Sequence, residues 1–167
     1  MISIMNLTNR NKGLTIIEGA IVLLMAIGVY LVATKGWNEL SFRFKKYQLT
    51  SQISEINAGA EAWRGNRSNF SGVTMTKLCA SGQQSVSEQT CGGVGGSGTS
   101  SNAFGGNFTI AANTSNLSQK NIAVTGLPAE RIKELADSYA ALTVNQCASA
   151  DDCDSLSVSG TTITLTM

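Results

Sequence analysis

A carboxylate inside an apolar run is chemistry that a chain does not carry by accident. In the stretch "GLTIIEGAIVLLMAIGVYLVAT", Glu18 lies four residues into an apolar segment from Leu14 to Thr34. An acid near a helix centre in lipid costs about 3 kcal/mol on insertion scales, so such a residue is read as functional, with a charged partner to be found. The bland alternative is a Glu18 that snorkels to the membrane interface, close to the helix end. The other reactive groups are Cys79, Cys91, Cys147 and Cys153, and the acidic cluster Asp151, Asp152 and Asp154. No two cysteines form C-x-x-C and the chain has no His, so a zinc site and a Ser-His-Asp or Cys-His nucleophile are not indicated. The aspartates lack EF-hand spacing and read as a solvated acidic turn.

Two further motifs mislead. "GVGGSG" from Gly93 to Gly98 satisfies G-x-G-x-x-G, but a dinucleotide site needs a strand before it, a helix after it and an acid about 20 residues on. The six Asn-x-Ser/Thr sequons are what a chain rich in these residues produces by chance. No pair of carboxylates stands out as acid and base. The expectation is a protein without enzymatic activity, cofactor or metal.

The elements that must position Glu18 and the cysteines follow from periodicity. Leu14 to Thr34 spans 21 residues, about 31 Å as a helix, which matches a bilayer core of about 30 Å. Nothing breaks the helix at Lys35. Trp37, Leu40, Phe44 and Tyr47 recur at spacings of three and four, and after a one-step shift Leu49, Ile53, Ile56, Ala60 and Trp63 continue the stripe. The pattern predicts one helix from Leu14 to about Arg64, apolar all round over 14–34 and amphipathic over 35–64, with a cover supplied from downstream. Residues 65–106 are rich in Gly, Ser, Asn and Thr and read as a long loop, which is unusual in a compact domain unless functional or tied down.

Residues 107–167 read as sheet and helix. "NFTIAA" (107–112) and "NIAVTG" (121–126) look like strands, and Pro128 opens a helix with Ile132, Leu135, Ala136, Tyr139 and Leu142 on its apolar face. "SLSVSGTTITLTM" reads as a hairpin turning at Ser159-Gly160, with Val158, Ile163 and Leu165 alternating. The expected class is α+β: an antiparallel sheet lying on the amphipathic half of a long helix.

An even cysteine count beyond a membrane segment points to disulfides in an oxidising space. Four cysteines allow three connectivities. Short loops and turn-forming residues favour Cys79–Cys91 with Cys147–Cys153, while links between the two regions, Cys91–Cys147 or Cys79–Cys153, stay open. The net charge of +1 gives no overall basic field for nucleic acid. Its distribution is uneven: seven Lys/Arg against three acids from Lys35 to Lys77, and three against seven from Ala80 onwards. Two ordinary solvated surfaces would account for this. So would a basic stem of one copy meeting an acidic head of another.

The front of the chain carries a family resemblance. "KGLTIIE" followed by an apolar run resembles the class III leader and first helix of type IV pilins. The resemblance implies a 1–13 leader, cleavage between Gly13 and Leu14 on the cytoplasmic side by a prepilin peptidase, and N-methylation of Leu14. It makes Glu18 the family's fifth-position glutamate, an assembly and registry residue. Counting Lys/Arg on either side of the run would instead place the N-terminus outside, and the resemblance overrides that count. "NAFGGNFTI" from Asn102 to Ile110 is similar to the Pro-Phe-Gly-Gly segment of bundle-forming and thin-pilus pilins, with Ala103 in place of the proline. Leu14 favours the type IVb group.

The implied organisation is the type IV pilin fold: leader 1–13, membrane and assembly half 14–34, amphipathic half 35–64 and globular head 65–167. The implied function is a structural subunit, a type IVb-like major pilin, held in the inner membrane with its N-terminus cytoplasmic and then polymerised into an extracellular fibre. Implied partners are other copies in a helical fibre, the prepilin peptidase, an assembly ATPase, an inner-membrane platform and a secretin. Pili of this kind serve attachment, conjugation, DNA uptake or motility. Within one subunit the amine left on Leu14 is poorly placed for Glu18, whereas a neighbour's amine could reach it in a medium without water. A minor pilin or type II secretion pseudopilin is the nearest rival. A membrane-anchored periplasmic binding module that never polymerises is the rival of another class.

Overall fold

Apolar side chains at Ile16, Ile17, Leu23, Leu24 and Val29 point outward from a helix that has no protein packed around it. This is the start of α1 (Ile16–Arg64), seen in a computed structural model that describes residues 16–80 and 85–167. The chain divides into two units, one ending at Phe42 and one running from Arg43 to Met167. In the first unit α1 is long and apolar enough to cross a membrane.

The second unit is α+β. After residues 43–64 of α1 come α2 (Met75–Leu78), α3 (Glu88–Cys91), β1 (Phe108–Ala112), β2 (Lys120–Val124), α4 (Ile132–Ala140), β3 (Leu156–Ser159) and β4 (Thr162–Thr166). The four strands form one antiparallel sheet in the order β1-β2-β4-β3. Register sets apolar residues opposite one another: Phe108 with Val124, Ile110 with Ile122, Ile122 with Leu165 and Val124 with Ile163. All of these are buried, as are Leu49, Ile53, Ile56 and Ala60 of α1 and Leu135, Ala136 and Tyr139 of α4. Together they supply the core.

Four expectations need correction. The apolar stripe on α1 is not one surface. Leu49, Ile53, Ile56 and Ala60 are fully buried, but Trp37, Leu40, Phe44 and Tyr47 are exposed. At about 100° per residue the two sets lie roughly 170° apart around the helix, so the stripe joins two different faces. The loop of 65–106 is also not continuous, since α2 and α3 each form a single turn within it. Thr74 Oγ1 accepts from the Lys77 N–H to start α2, and Ser87 Oγ accepts from the Thr90 N–H to start α3. One turn is too short to leave a period in the sequence.

The other two are shifts of boundary. Pro128 is extended and precedes a short 3-10 turn, Ala129–Arg131, so α4 begins only at Ile132 and Leu142 falls beyond its end. In the hairpin Ser159 pairs with Thr162, which moves the turn one residue on, to Gly160-Thr161. Val158 is 43% exposed because β3 is the sheet edge.

Candidate functional site

Glu18 sits in the first turn of α1 and is exposed, surrounded in sequence by apolar side chains that are exposed as well. A carboxylate in a first turn is favoured by the helix dipole, which reduces the cost of the charge without removing it. Gly13 and Leu14, the cleavage and methylation positions, lie outside the described residues.

In the second unit, the buried side of α1 carries polar groups that hold the glycine-rich segment. Gln52 is 4% exposed, set among Leu49, Ile53 and Ile56. Its Nε2 donates to the Ser101 carbonyl at 2.9 Å and its Oε1 accepts from the Ala103 N–H at 3.2 Å. One side chain therefore satisfies a donor and an acceptor of the irregular chain, which has no ladder of its own to do so. Glu55 does the same for α3, accepting from the Ser87 N–H, the Ser87 hydroxyl and the Thr90 hydroxyl. Neither role was foreseen from the sequence. The available signal was a glutamine inside an apolar stripe.

Asn102 shapes the segment that follows. Its Nδ2 donates to the Thr125 carbonyl, and its Oδ1 accepts from the N–H groups of Phe104 and Gly106. A Cβ at Gly106 would lie 1.9 Å from the Thr125 oxygen, so only glycine lets this turn close on the end of β2. The Lys45 ammonium lies 5.6 Å from the centre of the Phe104 ring.

Among the described residues charge is buried at one place. Lys120, at the start of β2, is 2% exposed and contacts Glu61 of α1 at 2.6 Å. Its ammonium also lies 4.3 Å from the Phe70 ring, and the Arg64 guanidinium stands 4.9 Å from the same ring. Tyr139 is buried beneath α1 with its hydroxyl 3.4 Å from the Lys46 carbonyl; burial pushes its phenol up to about 12, against a smaller lowering by Thr50.

Disulfides join Cys79 to Cys91 and Cys147 to Cys153, both with Cα atoms 5.7 Å apart. The first ties the end of α2 to the end of α3, and the second closes the chain between α4 and β3. Asp137 Oδ1 accepts from the Ala150 N–H, and Lys133 contacts Asp151 at 3.3 Å, so the acidic turn is held against α4. In "GVGGSG" a Cβ at Gly96 would lie 2.1 Å from the Cys91 oxygen. The run follows the single turn of α3 and is followed by no helix, so it lacks the strand-to-helix setting of a dinucleotide site. Among the described residues no three His, Cys, Asp or Glu side chains converge as a metal site.

Among the described residues no nucleophile is paired with a base. The arrangement offers a helix whose apolar half carries a single carboxylate and whose other half is clamped to a disulfide-bonded α+β head. Compared with known protein families, curated proteins and solved structures, the chain matches none.

Proposed function

We propose that the chain is a type IVb-like pilin, a structural subunit that is cleaved after Gly13, methylated on Leu14 and polymerised from a membrane into an extracellular fibre. The observation that carries this reading is Glu18 in the first turn of a helix that runs unbroken from Ile16 to Arg64. A charge at that place is costly alone and much less so beside an opposite one. The amine freed on Leu14 of a neighbouring copy is the partner that the reading assigns to it. Glu18 then penalises wrong stagger between subunits more than it adds adhesion. The clamped head fits a fibre exposed to solvent outside the cell, where disulfides persist.

Glu18→Ala tests the reading. Losing a charge lowers the cost of insertion, so the variant is expected to accumulate in the membrane and to be cleaved. Filaments recovered by shearing cells are expected to fall to background. Normal filament yield from this variant would remove the registry role, and reduced cleavage alone would assign Glu18 to peptidase recognition. A chain that is anchored but absent from every sheared fraction would be a binding module instead.

A further inference from the structure

The two disulfides of the second unit differ in their surroundings. Cys79 and Cys91 are both buried, and the Val86 carbonyl oxygen stands 3.9 Å from Cys91 Sγ. A thiolate formed there would face another acceptor. Cys147 is half-buried, and its partner Cys153 is 7% exposed. Two hydroxyls, themselves buried, lie against this second pair of sulfurs. Ser155 Oγ is 3.3 Å from Cys153 Sγ and 3.7 Å from Cys147 Sγ, and Thr143 Oγ1 is 3.6 Å from Cys153 Sγ.

Each hydroxyl has one proton to give. In the disulfide state Ser155 donates to Thr143 Oγ1 at 2.8 Å, and Thr143 donates to the Ala140 carbonyl at 2.7 Å. Disulfide sulfur is a poor acceptor, so this arrangement suits the oxidised form. A charged acceptor makes the stronger hydrogen bond. Negative charge on Cys153 Sγ would therefore draw the Ser155 proton across by rotation of the hydroxyl alone. Ser155 is a donor already in place for a thiolate leaving group, behind a disulfide whose other half is the more accessible.

We propose that Cys147–Cys153 is a thiol–disulfide exchange site, attacked at Cys147 by a protein dithiol, with Cys153 as the leaving thiolate. The incoming thiolate bonds to Cys147 Sγ, the Cys147–Cys153 bond breaks, and its electron pair stays on Cys153 Sγ, held by Ser155. The second thiolate of the same partner then displaces Cys147 from the mixed disulfide. The partner leaves as a disulfide, oxidised by two electrons, and the two protons of its thiols end on Cys147 and Cys153. The acidic turn then depends on the Asp137–Ala150 hydrogen bond and the exposed Lys133–Asp151 contact. Asp151, Asp152 and Asp154 flank Cys153 in sequence and are exposed, so the attacking thiolate belongs on a neutral or basic surface rather than an acidic one. The site needs such a partner whether or not the chain polymerises.

Small thiols test the site on the full-length chain in detergent. The chain is treated briefly with 2-mercaptoethanol and quenched with acid, and free thiols are capped with N-ethylmaleimide before peptide mapping. The expected first product carries mercaptoethanol on Cys147 and maleimide on Cys153, with Cys79–Cys91 intact. Ser155→Ala is expected to slow its formation about tenfold. Asp152→Asn combined with Asp154→Asn, at exposed positions, is expected to leave the mercaptoethanol rate unchanged and to raise the rate with anionic 2-mercaptoethanesulfonate about threefold. First adducts on Cys153, opening of both disulfides at one rate in the unaltered chain, or an unchanged rate in Ser155→Ala would overturn the proposal. Should Ser155→Ala speed both disulfides together, the head has loosened and the double aspartate variant decides: an unchanged sulfonate rate there overturns the proposal, and the threefold rise upholds it.

Discussion

Lys120 and Glu61 form an unequal pair. The lysine is 2% exposed while the carboxylate is 43% exposed and also contacts Arg64 at 2.8 Å. Removing the glutamate strands a buried cation beside the Phe70 ring. Removing the lysine leaves a carboxylate with water and a second partner. Glu61→Ala is therefore expected to cost about 3 kcal/mol and Lys120→Met about 1 kcal/mol, read as unfolding free energies of the full chain in detergent. Equal losses would contradict the placement. Pairs of this kind are not legible in a sequence, because Glu61 and Lys120 each satisfy the ordinary pattern of a surface residue. Gln52 was closer to legible, since a polar residue at a core position of an amphipathic helix asks what it bonds.

At the scale of elements, α1 shows where periodicity informs and where it misleads. Its apolar residues gave its extent, ending at Arg64, because a membrane-length run and an amphipathic run followed one another without Pro. They did not give its faces. The step from Tyr47 to Leu49 turns the helix by about 200°, and a stripe traced through that step joins two opposite surfaces. The strands were readable from β-branched alternation to within a residue or two, while α2 and α3 were hidden by their single turns. These short helices depend on the staple between their ends. In a chain-entropy account, loops of 12 and 6 residues are worth about 2.8 and about 2.2 kcal/mol. Replacing Cys79 and Cys91 by Ser is expected to cost the larger amount and to release the 79–91 segment to proteolysis first. Replacing Cys147 and Cys153 should cost less and loosen the acidic turn against α4. Urea unfolding and limited proteolysis check both, and a head indifferent to losing Cys79–Cys91 would mean that Glu55 alone holds α3.

The whole molecule has an apolar helix segment bearing one acid in its first unit and a disulfide-bonded α+β head in its second. The α+β class and the membrane-length helix could be read from composition and period, because both depend on sums over many residues. The proposed use of the molecule rests on a few positions, Gly13, Leu14 and Glu18, whose proposed roles involve a peptidase and neighbouring copies. The most direct measurement is the N-terminal sequence and intact mass of the chain in filaments sheared from cells. The account requires an abundant species that begins at N-methylated Leu14 and retains both disulfides. Filaments containing the chain from Met1, or a chain processed at Leu14 that never leaves the membrane, would contradict it.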